Sequence, residues 1–151
     1  MFRAPDPSWY DTSQNTPNIA IAPTELTFPI TFPIQFGPKL NSATINNTGH
    51  LVSFPVISND DGAFTGPKFE NTTTGKFINL PSLVVASGET LTVDMKARTI
   101  KVDGTSVLSK LTSDSEFWSL ALGNNTVKIS LLGITTNPTF SIDWFTRYLG
   151  I

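Results

Sequence analysis

Residues 89–108 read ETLTVDMKARTIKVDGTSVL, and this stretch decides the fold class. Apolar and polar residues alternate in it twice, which is the period-two pattern of an extended strand with one buried face. The apolar positions are Leu91, Val93 and Met95 in the first run and Ile100 and Val102 in the second. The pair Asp103-Gly104 follows directly and is a strong hairpin signal. The stretch therefore predicts antiparallel β-structure.

Similar short runs recur along the chain after residue 38 about every eight to twelve residues, with turn residues between them. This spacing is typical of an antiparallel β-sandwich or barrel. We predict a hairpin through residues 73–75, two strands about a turn at residues 123–125, and a last strand over residues 139–149. A helical turn is expected only within residues 106–117. The stretch GHLVSFPVIS places one set of side chains on a common face: His50, Val52, Phe54 and Val56.

The inward positions of the predicted strands form the expected core of the sandwich. They are Leu91, Val93, Ile100, Val102, Leu120, Val127, Ile129, Ile142 and Trp144. Trp118 is expected in the core as well, because it lies among other apolar residues. Ser113 or Asp114 is the expected cap of the helical turn, since both side chains accept hydrogen bonds from free backbone N–H groups.

Composition excludes several classes of site and partner. The chain has 151 residues, enough for one ordinary domain with an arm, and it has no cysteine and a single histidine. Disulfides, Cys-based zinc sites and His-rich metal sites are therefore excluded, and we expect no metal and no cofactor. The net charge of −2 argues against nucleic acid as a partner. No apolar run is long enough to suggest a signal peptide or membrane insertion.

The N-terminal residues differ from the rest of the chain. We assign residues 1–38 to an extended, proline-rich arm and residues 39–151 to the sandwich domain. Within the arm, residues 26–36 read LTFPITFPIQF, an edge ribbon with one apolar face. Pro29 and Pro33 lack an N–H on the same edge, which excludes a central place in a sheet. The candidate interface is the set of large apolar side chains of the arm: Phe2, Trp9, Tyr10, Phe28, Ile30, Phe32 and Ile34.

Catalysis is not expected from this sequence. His50 has no partner in any recognisable nucleophile–base motif, and the carboxylates are scattered, mostly at turns. Asp60 and Asp61 precede Gly62 and indicate a turn. Asp94 and Asp143 are expected to face solvent or to pair with a cation such as Lys96 or Arg147. An alternative is carbohydrate binding by exposed aromatic side chains, for which the candidates are Trp9, Tyr10, Trp118 and Phe145.

Residues 69–133 resemble the C-terminal domain of the distal tail proteins of phages with long, non-contractile tails. The resemblance depends on the order of five short motifs. An Asn-x-Thr-Thr-Gly hairpin is matched at residues 71–75, and a Gly-(Asp/Glu)-x-Leu-x-(Ile/Val)-Asp strand at residues 88–94. The other three are an Arg-Thr-(Val/Ile) strand with its Asp-Gly turn, an Asp-Ser-x-Phe-(Phe/Trp)-x-Leu segment and a Gly-x-Asn turn. They are matched at residues 98–104, 114–120 and 123–125.

The arm carries the same resemblance, since APDPSWYDTS and LTFPITFPIQFG are similar to the linker and ribbon of such proteins from actinobacterial phages. The resemblance implies a galectin-like or jelly-roll-like β-sandwich and a structural role in the tail tip, without catalysis. It also implies a virion protein, made in the host cytoplasm, that is a homo-hexamer in the virion. The implied partners are the ring-forming half of the distal tail protein, the tail tube and the tail-tip hub, with a host glycan as the alternative ligand.

Overall fold

The computed structural model describes residues 8–10, 18–20, 40–136 and 138–149. These ranges contain fifteen strands and one short 3-10 helix, Leu108–Lys110. The strands are β1 (Ser8–Tyr10), β2 (Asn18–Ala20), β3 (Leu40–Asn47), β4 (Val56–Asp61), β5 (Phe64–Thr65), β6 (Lys68–Asn71), β7 (Lys76–Asn79), β8 (Val84–Val85), β9 (Leu91–Asp94), β10 (Thr99–Val102), β11 (Thr105–Ser106), β12 (Gly123–Ser130), β13 (Gly133–Ile134), β14 (Thr139–Asp143) and β15 (Arg147–Leu149).

Two larger antiparallel sheets form the sandwich. One has six strands in the order β11-β10-β9-β4-β14-β2, and the other has four in the order β3-β12-β6-β7. The short strands β13, β5 and β8 form a third sheet, and β1 pairs with β15. All pairs within these sheets for which a register is resolved are antiparallel, as the alternating sequence pattern predicted. The prediction of an all-β, antiparallel β-sandwich is confirmed.

Phe140 lies where three of the sheets meet. Its ring on β14 is 5.1 Å from the ring of Phe64 on β5 and 5.7 Å from the ring of Phe69 on β6, measured between centroids. All three side chains are buried. Tilted and edge-to-face contacts at these distances are the favourable geometries for aromatic pairs. The inner faces of the sheets therefore close on one continuous core.

The predicted core residues are buried with one exception. Eight of the nine are inside: Leu91, Val93, Ile100, Leu120, Val127, Ile129, Ile142 and Trp144. Val102 is only partly buried and packs against the edge of the core. It is the last residue of β10, next to the exposed turn at Asp103 and Gly104, which leaves its side chain partly open to solvent. Trp118 is buried, as predicted, although it lies outside any strand.

The two hairpins predicted from turn residues are present. β6 and β7 pair around residues 72–75, and β10 and β11 pair around Asp103 and Gly104. Asp103 has a φ of 47° and Gly104 a φ of 79°. Two consecutive residues with positive φ characterise the type I′ turn that suits a two-residue hairpin loop.

Three local predictions are wrong. Residues 123–125 do not form a turn between two strands, because β12 begins at Gly123 and runs without interruption to Ser130 along β3. The last strand is divided into β14 and β15, with Trp144, Phe145 and Thr146 between them. The helical turn is present at Leu108–Lys110, but its N-cap is Val107, which makes no side-chain capping bond, so neither Ser113 nor Asp114 caps it.

The face predicted for His50, Val52, Phe54 and Val56 is a common face, and it is the more exposed one, although Phe54 also packs against the core. These four side chains are exposed or partly exposed, whereas Ser53, Pro55 and Ile57 between them are buried. The alternating sequence therefore predicts the two faces of this segment but does not tell which of them is buried. A period of two identifies two faces but cannot say which one meets the opposite sheet.

Four buried asparagine side chains hold the loops that join the strands. Asn71 accepts hydrogen bonds from the N–H groups of Thr73 and Thr74, and its amide donates to Ser119 O and to Asn125 Oδ1. Asn125 accepts from the Ala121 N–H and donates to the carbonyls of Ala121 and Gly123.

Asn47 and Asn59 act in the same way. The Asn47 amide donates to the carbonyls of Leu51 and Leu120, and the Asn59 amide donates to Glu89 O while its oxygen accepts from the Leu91 N–H. A side-chain amide has donors and an acceptor and can therefore replace a missing β-ladder partner inside the protein.

Two short pieces of the predicted arm are part of the sandwich. β1 pairs with β15, and β2 adds an edge to the six-stranded sheet by pairing with β14. Ile19 on β2 is buried in the core. β2 also contacts β3, so Ala20 and Leu40 lie on neighbouring strands. The division into residues 1–38 and 39–151 stays a prediction, and residues 26–36 lie outside the described ranges.

We expect Asn71→Ala to lower the free energy of unfolding by roughly 2–4 kcal/mol, because it leaves several buried backbone and amide groups without partners. Asn124→Ala is the matched control, since Asn124 also begins an Asn-x-Thr triplet but is exposed on the sandwich surface. The control should change stability by about 0.5 kcal/mol or less. Urea unfolding curves of the two variants check this. Equal effects would contradict a structural role for the buried amide.

We expect Trp144→Ala to cost about 3–5 kcal/mol, because truncating a buried aromatic side chain leaves a cavity. Phe145→Ala is the control, since the neighbouring Phe145 is 44% exposed. Its cost should be clearly smaller, about 1 kcal/mol or less. Thermal or urea unfolding provides the measurement. A Trp144→Ala variant as stable as the control would contradict the burial of this side chain between the sheets.

Candidate functional site

The seven candidate interface residues fall mostly outside the described part of the chain. This holds for Phe2, Phe28, Ile30, Phe32 and Ile34. Trp9 and Tyr10 are on β1, where their backbones pair with Tyr148 and Arg147 of β15. The candidate interface stays a prediction. Of its residues, Tyr10 pairs directly with Arg147.

A pocket of about 180 Å³ opens next to Arg147, on the outer face of the six-stranded sheet. Its walls combine apolar and charged side chains: Phe54, Val56, Asp94, Lys96, Phe145 and Arg147. The volume is below the ~300 Å³ at which pockets for drug-sized ligands begin. The pocket can therefore accept one ring-sized group or one side chain of a partner. Sequence reasoning placed Phe54 and Val56 on one face but did not connect them with Asp94 or Arg147.

Strand register brings the pocket residues together. Val56 on β4 pairs with Asp94 on β9 at one side and with Asp143 on β14 at the other. Directly paired residues in antiparallel strands point to the same face of the sheet. The two carboxylates therefore flank the Val56 side chain. Phe54 precedes β4 and Phe145 follows β14. Because β4 and β14 are antiparallel neighbours, both rings lie at the same end of the sheet.

Arg147 is held at the pocket by several contacts. Its Nη1 donates a hydrogen bond to Val52 O at 3.0 Å, and its guanidinium carbon is 5.9 Å from the centre of the Phe54 ring. Its carbonyl oxygen accepts from the N–H groups of His50 and Leu51. The arginine therefore connects β15 to the segment that precedes β4, and its planar head lines the pocket wall beside an aromatic ring.

The two carboxylates near the pocket have different environments. Asp94 Oδ1 accepts hydrogen bonds of 2.9 Å from the N–H groups of both Lys96 and Ala97, so it stabilises the turn between β9 and β10. Asp143 Oδ1 is buried and has no hydrogen-bond partner among the described residues. We predicted that both would face solvent or pair with cations. Both side chains are partly exposed, in line with this prediction, and the hydrogen-bond partners of Asp94 are backbone N–H groups, one of them that of Lys96.

The other polar residues singled out in the sequence have structural environments. His50 is exposed, and its ring lies edge-on to Tyr148 with centroids 5.5 Å apart. Asp61 Oδ1 accepts from the Gly62 N–H in the predicted turn, and Asp60 accepts from the Ser141 hydroxyl. In the described ranges, no cluster of three or more His, Cys, Asp or Glu side chains could hold a metal ion. No helix in those ranges is long and apolar enough to span a membrane.

The aromatic candidates for sugar binding are separated by burial. Trp118 is 2% exposed, and its Nε1 donates to Phe69 O inside the core. It therefore cannot present a ring face to a ligand, which confirms the expectation that Trp118 belongs to the core. Phe145 is 44% exposed and lines the pocket. The side chains of Trp9 and Tyr10 are not described.

The amino-acid sequence matches a known protein family. The family model "Siphovirus-type tail component, C-terminal domain" matches residues 48–148. No curated protein sequence matches the chain.

Among solved structures, the chain is similar to the Dit protein (gp 19.1) of SPP1, described as a paradigm of the hub adsorption apparatus in phages that infect Gram-positive bacteria. The TM-score is 0.65 at 18% sequence identity. The match covers 96% of this chain and 50% of that one, so the chain spans about half the length of SPP1 Dit. At this identity the likeness shows a shared fold. The family model covers more than half of the chain, and the protein therefore belongs to the family of siphovirus-type tail components, as a C-terminal domain of that family.

Proposed function

We propose that this protein is a structural component of a phage tail tip that acts through contacts with other tail proteins, as part of the virion. The observation that carries the proposal is the match of residues 48–148 to the tail-component family. The shared fold with SPP1 Dit, a protein of a hub adsorption apparatus, supports the same reading. Fold alone does not establish function, so the family match carries more weight than the structural likeness.

The use of polar side chains supports a role without catalysis. Catalytic sites need a nucleophile, a base and an orienting group within hydrogen-bond reach of one another. Here the carboxylates of Asp61 and Asp94 accept from backbone N–H groups in turns, and His50 contacts an aromatic ring. The buried asparagines bond to loop backbone or, between Asn71 and Asn125, to each other. These residues have structural tasks that explain their positions.

The partners we propose are the ring-forming half of a distal tail protein, the tail tube and the tail-tip hub. A homo-hexamer in the virion would place six copies of the sandwich around the tail. The chain spans half of SPP1 Dit, which leaves room for a separate ring-forming half. The candidate interface residues are Phe2, Trp9, Tyr10, Phe28, Ile30, Phe32 and Ile34, whose apolar side chains need a cover, either on a partner or on the sandwich itself.

We expect Fab fragments raised against the sandwich domain to label purified virions of the encoding phage at the tip of the tail. Electron microscopy of labelled particles measures the position. Fab fragments against the major capsid protein are the control and should label the head only. Labelling of the capsid by the sandwich-specific Fab, or absence of the chain from virions by mass spectrometry, would contradict the proposal.

A second candidate function is carbohydrate binding at the host surface, and the pocket beside Arg147 is the specific observation that favours it. Phe145 offers an exposed ring face for the apolar side of a sugar. Asp94, Lys96 and Arg147 supply both acceptors and donors at the walls, which suits hydroxyl groups. With Asp143 beside it, the site has two acidic and two basic side chains and so suits a neutral ligand.

If the pocket binds saccharide, Phe145→Ala should weaken binding to a bacterial cell-wall saccharide on the order of tenfold or more. Binding to a glycan array identifies the saccharide, and titration calorimetry measures the change. Phe77→Ala is the control, because Phe77 is a partly buried aromatic residue on β7 of the other sheet. Failure of every saccharide to bind, or an equal loss with the control, would reject the carbohydrate function and leave the tail proposal intact.

A further inference from the structure

β3 is an unusually open edge of the sandwich. It has eight residues, LNSATINN, and is the outermost strand of the four-stranded sheet. Along one side it pairs with β12 over its full length. Among the described residues, no strand pairs with its other side. Ser42, Thr44 and Asn46 are exposed on its outer face, whereas Ile45 points into the core.

The usual protections of an edge strand are missing from β3. Proteins commonly protect such edges with charged residues, proline, bulges or very short strands. The eight residues of β3 include no charged residue and no proline, and its pairing with β12 has no register shift. The outermost strands of the other sheets in the described ranges have only two or three residues, namely β1, β2, β8, β11, β13 and β15. β3 is therefore the one long edge that needs a cover.

The opposite edge of the same sheet shows how this protein closes a long edge. The segment 112–116 runs beside β7, and the N–H groups of Thr112 and Glu116 donate to the carbonyls of Asn79 and Phe77 at 3.1 and 2.8 Å. The Asn79 N–H donates to Ser115 Oγ at 2.9 Å. The side chains of Lys76 and Glu116 form an ion pair over this junction. The edge at β7 is thus covered by the chain itself.

We propose that the ribbon at residues 26–36 of the same chain pairs with the open edge of β3 as an added antiparallel strand. The backbone chemistry of the ribbon fits a terminal strand. Pro29 and Pro33 remove donors from one edge, and the other edge keeps every N–H group, from Leu26 to Phe36 at even positions. The ribbon can therefore pair on one side only and would end the sheet with its proline edge outward.

Chain connectivity favours the ribbon of the same chain over that of a second copy. A four-residue connection over residues 36–39, Phe-Gly-Pro-Lys, would pair Gln35 with Leu40 at the start of β3 and Thr31 with Thr44. A connection this short with a glycine is usual for a β-hairpin and has a small loop-closure cost. β2, which precedes the ribbon in the chain, also lies close to β3, because the two strands are in contact. In this arrangement the apolar even positions would cover the side of the sandwich between the two sheets.

The first test compares two variants, each of which removes one N–H group from a different edge of the ribbon. Ile30→Pro removes a donor from the edge that would face β3, and Thr31→Pro removes one from the outward edge. Amide hydrogen exchange of residues 40–47 in the full chain should become faster on the order of tenfold with Ile30→Pro and stay unchanged with Thr31→Pro. Ile30→Ala, which keeps the N–H, should lie closer to the unmodified chain than Ile30→Pro does. Equal effects of the two proline variants, or of Ile30→Ala and Ile30→Pro, would overturn the pairing.

The second test uses the absence of cysteine from the chain, so that engineered pairs report without background. Thr44→Cys on β3 is combined with Thr31→Cys or with Pro33→Cys, because the odd ribbon positions would lie outward like Thr44. Under mild oxidation we expect a disulfide within one chain, since paired residues have suitable Cα distances. Lys76→Cys on β7 replaces Thr44→Cys in the control and should give none. Disulfides between two chains would assign the edge to a second copy and overturn the proposal, as would equal yields with the control.

Discussion

The contact of Phe140 with Phe64 and Phe69 is the interaction on which the sandwich depends. It joins β14 of the six-stranded sheet, β6 of the four-stranded sheet and β5 of the small sheet in one cluster of buried rings. Aromatic rings contribute the largest apolar areas to a core, and offset or edge-to-face pairs add to that contribution. A β-sheet with one apolar face is stable only when that face meets another layer, and this cluster marks where the layers meet.

Four of the chain's asparagines have a role in closing this core. Strands that pack face to face must be joined by loops, and where such loops run inward their backbone groups lose water. Asn47, Asn59, Asn71 and Asn125 are each at most 2% exposed and supply the missing hydrogen bonds from within. Their side chains bond to backbone across distances of up to 73 residues in sequence. Composition alone could have indicated hydroxyl recognition of a ligand, but these four residues are committed to the fold.

The surface of the sandwich combines a closed edge, an open edge and a mixed pocket, and each has a different consequence. The closed edge at β7 shows that the fold satisfies exposed backbone groups with its own chain where it can. The edge of β3, which is unpaired among the described strands, favours association with an extended segment, and the ribbon of the same chain is the segment proposed for it. The pocket near Arg147 lies at the end of the other sheet, so a ligand there would not compete with pairing at β3.

The sequence by itself determined the fold class, the two hairpins and eight of the nine proposed core residues, because these follow from local periodicity and turn chemistry. Leu91, Val93 and Ile100 alternate with polar residues, and Asp103-Gly104 tolerates positive φ whatever the rest of the chain does. Only the tertiary structure decided which face of residues 50–56 points inward, since an alternating strand is symmetric until an opposite sheet selects one side. The tertiary structure also decided that β12 includes Gly123 and Asn125, because pairing with the long strand β3 and the hydrogen bonds of the buried Asn125 side chain outweigh the local turn signal. The pocket could not be predicted for the same reason: Val56, Asp94 and Arg147 are far apart in sequence, and only strand register makes them neighbours.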